Sequence, residues 1–259
     1  MITSRQHPVC KLVRKLADGK YRRQEKLFVV EGGNAVSAAI GARWPLQRLL
    51  AAPEDLDAGW NEVADAASIE TLAVDPDILA YLADAQTSPG VIAIAQSPTP
   101  PRLEDIADED ALILVLDGVG DPGNVGTLIR TADAAGARAI VLTRGTADAF
   151  APKVVRSSAG SVFHLPIFVE GAVQLDAELP THGFSIVAAE AHDGKDCYAF
   201  NWPRRCALVL GHETRGVSER WLDAANERIT IPLRGRAESL GVASAGAVLL
   251  FAVQQNAGK

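Results

Sequence analysis

The chain has 259 residues, 48% hydrophobic and 22% charged with 22 glycines, a composition that suits a soluble globular α/β protein of one large or two ordinary domains. Apolar runs such as Ala111 to Leu116 and Ala245 to Val253 are too short or too broken by glycine to span a bilayer. MITSRQHPVCKLVRK also lacks the apolar centre of a signal peptide, so a cytoplasmic protein without membrane contact is expected.

The net charge of −7 hides an asymmetry. Residues 1 to 26 hold eight Lys/Arg against Asp18 and Glu25, a balance of +6, which leaves −13 on the remainder. Cations clustered in this way suit a polyanion, and equally a solvated helix face. LFVVEGGNAVSAAI then reads as a strand running into a helix, QRLLAA as a second strand, Asp55 to Ser68 as a helix and SPGVIAIAQ, residues 88 to 96, as a further strand. Pro98, Pro100 and Pro101 predict a linker over 97–106. It separates an α/β module, residues 1–96, from a larger one, residues 107–259.

In the second module strand and helix signals alternate: ALILVLD, NVGTLIRTADAAG, ARAIVLT, SVFHLPIF, FSIVAAEA, CALVLG, RITIPL and a closing helix, SAGAVLLFAVQQNA. This alternation predicts a largely parallel sheet with helices on both faces. Ligands in such sheets sit beyond the carboxyl ends of the strands, which makes the loops after Leu116, Leu210 and Leu233 the site candidates. Cys10, Cys197 and Cys206 have neither C-x-x-C spacing nor a histidine pair beside them, so reduced thiols and no metal site are expected.

The stretch LILVLDGVGDPGNVGTLIRTADAAGA, residues 112 to 137, spells G-x-G-x-x-G through Gly118, Gly120 and Gly123. A dinucleotide site needs an acid about twenty residues on, and Arg144 follows the next strand instead, which suits a 2′-phosphate better than a ribose diol. Pro122 and Gly123 are expected to delay the helix, with Asn124 as its N-cap.

The same stretch read as D-P-x-N-V-G-x-x-x-R, with Asp121, Pro122, Asn124, Gly126 and Arg130, resembles the first signature of the SpoU-type RNA ribose 2′-O-methyltransferases of the SPOUT superfamily. LVLGHETRGVS (208–218) is similar to the second signature and ITIPLRGRAESLGVASAGAVLLF (229–251) to the third, and KVVRSSAGSVFHLPI lies between. The N-terminal module resembles the family's small ribosomal-protein-like α/β substrate-binding domain. The resemblance implies a C-terminal domain with a parallel sheet and a trefoil knot, a bent S-adenosylmethionine in that knot, and a homodimer. The two-module length is closer to rRNA-modifying members than to the shorter tRNA-modifying ones.

By the same resemblance Leu210, Gly211, Gly216, Ile231 and Leu240 bind the cofactor, and Arg130, Asn124, Glu213 and Ser239 are catalytic. Arg14, Arg22, Arg23 and Arg156 contact RNA. A guanidinium is very hard to deprotonate, so Arg130 is read as a cation that holds a phosphate and stabilises developing alkoxide. One departure stands out: Ser239-Leu240-Gly241-Val242-Ala243 replaces the usual S-L-N-V-S. A non-catalytic RNA-binding relative therefore remains an alternative reading, as does an NADP-dependent oxidoreductase.

Overall fold

In the basic segment, Val9, Cys10, Val13 and Leu16 recur at helical spacing and turn inward, forming helix α1 (Pro8–Leu16). His7 Nδ1 accepts the Val9 N–H at its start. Lys11, Arg14 and Lys15 are left on the exposed face. Asp18 caps α2 (Gly19–Glu25) by accepting the Lys20 N–H at 2.8 Å. These features come from a computed structural model of the chain, which describes residues 1–84, 90–106, 110–169 and 175–256.

The chain forms two compact units, residues 1–99 with 148–164 and residues 100–147 with 165–259. In the first unit β1 (Leu27–Glu31) is followed by α3 (Gly33–Gly41), β2 (Leu46–Ala51), α4 (Pro53–Asp55), α5 (Asn61–Ala66), β3 (Glu70–Ala73), α6 (Pro76–Leu82) and β4 (Val91–Gln96). The sheet order is β1-β4-β2-β3, with β3 parallel to β2 and the other pairs antiparallel. The helix expected over 55–68 is broken by a π-turn at Leu56–Trp60, where Gly59 takes φ 131°. β3 and α6 were not anticipated, and of the strand expected over 88–96, residues 88 and 89 lie outside the described residues.

Residues 148–164, which follow the proline-rich linker by some way in sequence, pack with this first unit and cross the division drawn from composition. Their helix α8 (Pro152–Ser157) lies on β1, and Phe150 and Phe163 join Phe28 and Trp44 in an aromatic cluster with centroids 4.8 to 6.3 Å apart.

In the second unit the elements are β5 (Ala111–Asp117), α7 (Pro122–Ala134), β6 (Ala139–Leu142), β7 (Ile167–Val169), α9 (Leu175–Thr181), β8 (Ser185–Ala189), β9 (Lys195–Asp196), β10 (Arg205–Gly211), α10 (Glu219–Ala224), β11 (Glu227–Thr230) and α11 (Val242–Asn256). The sheet order is β7-β6-β5-β10-β8-β11-β9, and every pairing is parallel. β5 and β10 lie at its centre in register from Ala111↔Arg205 to Asp117↔Gly211. Their continuous apolar runs follow from burial on both faces. The short β9 was not anticipated. Leu103 and Ile106, from the end of the expected linker, are buried in this unit's core.

One expectation fails at α7. The helix starts at Pro122, and the N-cap is Asp121, whose carboxylate accepts the Asn124 N–H at 2.9 Å. Proline at the first helical position opens a helix, because its missing N–H would have no intrahelical acceptor there. Asn124 therefore lies inside the first turn, with its side chain free to reach elsewhere.

Candidate active site

Four loops leave the carboxyl edge of the parallel sheet after β5, β8, β10 and β11, and their local chemistry explains their shapes. β10 ends in Gly211, where a Cβ would overlap the Gly216–Val217 peptide, so only glycine lets the following loop fold back so tightly. His212 and Gly216 close that loop by exchanging backbone hydrogen bonds of 3.0 and 2.9 Å, with Gly216 at φ +70°. Gly211 thus accommodates the loop's own backbone.

Glu213, at the tip of this loop, ties it to the first signature. Its carboxylate accepts the N–H groups of Gly120 at 3.3 Å and Asp121 at 3.2 Å, and the Asn124 Nδ2 at 3.0 Å. Desolvation opposes the charge, but the Asn124 amide and the N–H groups of Glu213, Asp121 and Gly120 outweigh it and pull the Glu213 pKa down to about 2. A second clasp lies deeper. The buried Asp117 carboxylate accepts the Thr143 hydroxyl at 2.9 Å and the Ser218 N–H at 2.7 Å, fixing the far end of the loop. Sequence reasoning missed Asp117. The signal was an acid closing an apolar strand at its carboxyl edge.

The loops after β8, β10 and β11 enclose a cleft of about 300 Å³. Leu210, Gly211, Gly216, Ile231 and Leu240 all line it, as do Glu213 and Ser239. The loop after β8 adds Glu190 and His192, which the sequence reading passed over although they follow the carboxyl end of a strand. The Glu190 N–H donates to the Ile229 carbonyl at 2.8 Å and holds that loop against β11. Leu233 and Leu240 leave 37% and 38% of their surface exposed at the cleft, apolar area that a ligand would cover. Beneath it α11 packs on α7 and β10, where a Cβ on Gly246 would collide with Leu128 and Leu210.

The residues assigned to chemistry are not all gathered here. Asn124 and Glu213 are in direct contact, and the Ser239 hydroxyl reaches the cleft with no hydrogen bond of its own among the described residues. Arg130 does not line the cleft. It is exposed on α7, two turns beyond the first signature's asparagine, and its guanidinium makes no hydrogen bond or ion pair among the described residues. The i+3 pair with Asp133 that would make it a plain surface arginine does not form. Gly241 and Ala243 bring no polar side chain to the start of α11, and a Cβ on Gly241 would meet open space.

The four arginines assigned to RNA differ sharply within the first unit. Arg22 is a correction: it is buried, pairs with Asp148 at 2.7 Å and donates to the Leu16 and Ala17 carbonyls at 2.8 Å each, so its charge is neutralised inside the unit. Arg156 pairs with Glu31 at 3.4 Å and Asp84 at 3.2 Å. Arg14 and Arg23 are exposed, and neither guanidinium has a hydrogen-bond or ion-pair partner among the described residues. All three cysteines are buried, and burial pushes each thiol pKa up.

A parallel sheet with a cleft at its carboxyl edge, where leucine and isoleucine side chains stand beside Glu190, Glu213 and Glu238, is the arrangement in which α/β proteins hold small ligands. The family follows from comparison: the model of the SpoU rRNA Methylase family matches residues 111–251, and that of the MRM3-like substrate binding domain matches residues 7–93. The chain belongs to the SpoU rRNA methylase family. It is 32% identical to the 23S rRNA (guanosine(2553)-2′-O)-methyltransferase RlmP of Bacillus subtilis, over 92% of both chains. It is also 32% identical to the 23S rRNA (uridine(2479)-2′-O)-methyltransferase of Streptomyces viridochromogenes, over 88% of this chain and 83% of that one. Among solved structures, the SpoU methyltransferase AviRb of S. viridochromogenes in complex with AdoMet superposes with a TM-score of 0.89 at 28% identity, covering 96% of this chain and 98% of that one. The AdoMet-bound rRNA methyltransferase of Sinorhizobium meliloti superposes with a TM-score of 0.88 at 30% identity, over 98% and 97%.

Proposed function

We infer that this chain transfers the methyl group of S-adenosylmethionine to a ribose 2′-hydroxyl of rRNA. The observation that carries the reading is the cleft itself, where the loops of the second and third signatures meet at the carboxyl edge of the sheet and Glu213 ties them to the first. The lining fits the methyl donor. Leu210, Ile231 and Leu240 offer apolar walls for an adenine, and the carboxylates of Glu190 and Glu238 suit a cationic ligand. Its volume of about 300 Å³ lies at the lower end of small-molecule sites.

When bound, S-adenosylmethionine supplies a methyl group already activated on a sulfonium. The chain's residues then have to position and stabilise. Glu213 and Asp117 hold the loops in shape before any ligand arrives, the preorganisation on which this kind of catalysis depends. Asn124 is fixed by Glu213 and sets the first turn of α7. Arg130 is the cation that holds a phosphate beside the target ribose and stabilises negative charge on its 2′-oxygen. Residues 1–96, with 148–164 in the same unit, serve as the RNA-binding domain; the remainder of 107–259 is the knotted methyltransferase domain, and 97–106 connects the two, with Leu103 and Ile106 built into the second core. Arg14 and Arg23 carry the RNA contacts. A cytoplasmic homodimer completes the reading, and no helix among the described residues is long and apolar enough to cross a membrane.

The test is transfer of tritiated methyl from S-adenosylmethionine to unmodified rRNA, followed by alkaline hydrolysis. A 2′-O-methyl group blocks cleavage, so the label should appear in a hydrolysis-resistant dinucleotide; label on a base contradicts the reading. Arg130→Ala should slow the single-turnover rate by about 100-fold or more while leaving methyl-donor affinity unchanged. A second reading, a relative that binds RNA and cofactor without transfer, is favoured only by the apolar Gly241 and Ala243, and binding without label would support it.

A further inference from the structure

Three elements of the first unit converge on Tyr81. The N-terminus is held beside β3 by Ile2, whose N–H donates to the Ala73 carbonyl at 2.8 Å and whose carbonyl accepts the Asp75 N–H at 2.9 Å. That anchorage brings Arg5, three residues on, over the ring of Tyr81, with its guanidinium carbon 4.3 Å from the centroid. Helix α1 packs against α6 and presents Arg14 to the same ring at 5.1 Å. On α6, Ile78, Leu79 and Leu82 point into the core, which leaves Tyr81 on the outer face, 38% exposed.

Two cations are thus drawn to one ring with no acid to compensate them. Neither guanidinium makes a hydrogen bond or ion pair among the described residues, and Asp77, one turn before Tyr81 on α6, pairs with neither. Stacking on a π-face orients a guanidinium but leaves its N–H fork unused. The pattern continues along the exposed face of α1, where Lys15 lies 5.6 Å from the Tyr21 centroid and Lys11 is a further cation with no ion pair among the described residues. Two guanidiniums oriented on one ring, with no hydrogen bond or ion pair among the described residues, are arranged for an anion with several oxygens, and planar forks match phosphate better than isolated ammonium groups do.

We propose that Tyr81 seats Arg5 and Arg14 as a preorganised clamp for the sugar–phosphate backbone of the RNA substrate, with the Lys11 and Lys15 face of α1 extending the track. This rests on the reading of the protein as an RNA methyltransferase. Tyr81 is a positioning residue: the arginines touch phosphate, and the ring holds them for it. The clamp orients the RNA without reading its sequence.

The experiment is fluorescence anisotropy of the full chain with transcribed, unmodified rRNA across a salt series, beside calorimetry with S-adenosylmethionine. Arg5→Gln with Arg14→Gln should weaken RNA binding about tenfold or more and reduce the salt slope by about two, with methyl-donor binding unchanged. Tyr81→Phe keeps the ring and should bind RNA as wild type does. Tyr81→Leu keeps apolar bulk without a π-face and should lose affinity while KM for RNA rises at constant kcat. An unchanged slope in the double variant, or wild-type affinity in Tyr81→Leu, overturns the clamp. A wild-type chain that binds S-adenosylmethionine but no rRNA contradicts the underlying function instead.

Discussion

The two units solve the problem of holding a ligand in opposite ways. In the C-terminal unit the cleft depends on the path of its loops: Gly211 lets one fold back, and the Glu213 and Asp117 carboxylates clasp it. In the N-terminal unit the RNA contacts proposed above are exposed cations mounted on an ordinary core, and what an arginine there can do depends on what it touches. Arg22 and Arg23 are adjacent in sequence, yet one is a buried strut and the other a free surface charge. The cleft should therefore respond to small changes in shape, whereas the cationic surface should respond to changes in charge.

The largest expected effect breaks the cleft. Gly211→Ala puts a methyl group into the Gly216–Val217 peptide, so the loop must open at a cost of about 3–4 kcal/mol. Thermal unfolding should show that loss and calorimetry should show methyl-donor binding gone; retained binding would mean the loop's tight fold is dispensable.

The arginine pair comes next and sharpens the contrast within the basic segment. Arg22→Ala strands Asp148 and two carbonyls and should cost about 3 kcal/mol in urea unfolding, while Arg23→Ala stays within about 0.5. Equal effects would show that Arg22 is not the strut described.

Glu213 gives a pH signature. Its pKa in the folded protein, about 2, is below the ordinary 4.5, so the charged form favours folding and the stabilisation is present above about pH 4.5. It is lost as pH falls from there through 2. With the side chain 26% exposed, the contribution at neutral pH is discounted to about 2 kcal/mol. Comparing Glu213→Gln with wild type in urea at pH 7 and at the acid limit should show that gap close; a gap that ignores pH would rule out a charge effect.

The smallest effect concerns Gly241, whose carbonyl accepts the Ala245 N–H at 2.9 Å, the cap position of α11. Asparagine fits the open space there, so Gly241→Asn should stabilise the helix by a few tenths of a kcal/mol. A loss of stability would show that the position demands glycine.

The sequence showed most where chemistry repeats. The alternation of apolar runs and helices predicted the parallel sheet, and the five residues that the second and third signatures assigned to a cofactor all line one cleft, whereas Glu190 and His192 beside them were passed over. It showed least where partners are distant in the chain. Asp148 lies 126 residues from Arg22, and nothing local to RRQ distinguishes an arginine that will be buried from one that will not. The return of residues 148–164 to the first unit is likewise a long-range packing event, driven by Phe150 and Phe163 meeting Phe28. The start of α7 was misjudged for a local reason: Asp121 and Asn124 are both good caps, and the proline between them favours the earlier one.

The most direct test of the central claim, that main-chain loops at the carboxyl edge form a methyl-donor site, is calorimetric titration of the full chain with S-adenosylmethionine. Saturable binding at one site per chain is expected. Absence of binding in a folded preparation would contradict it.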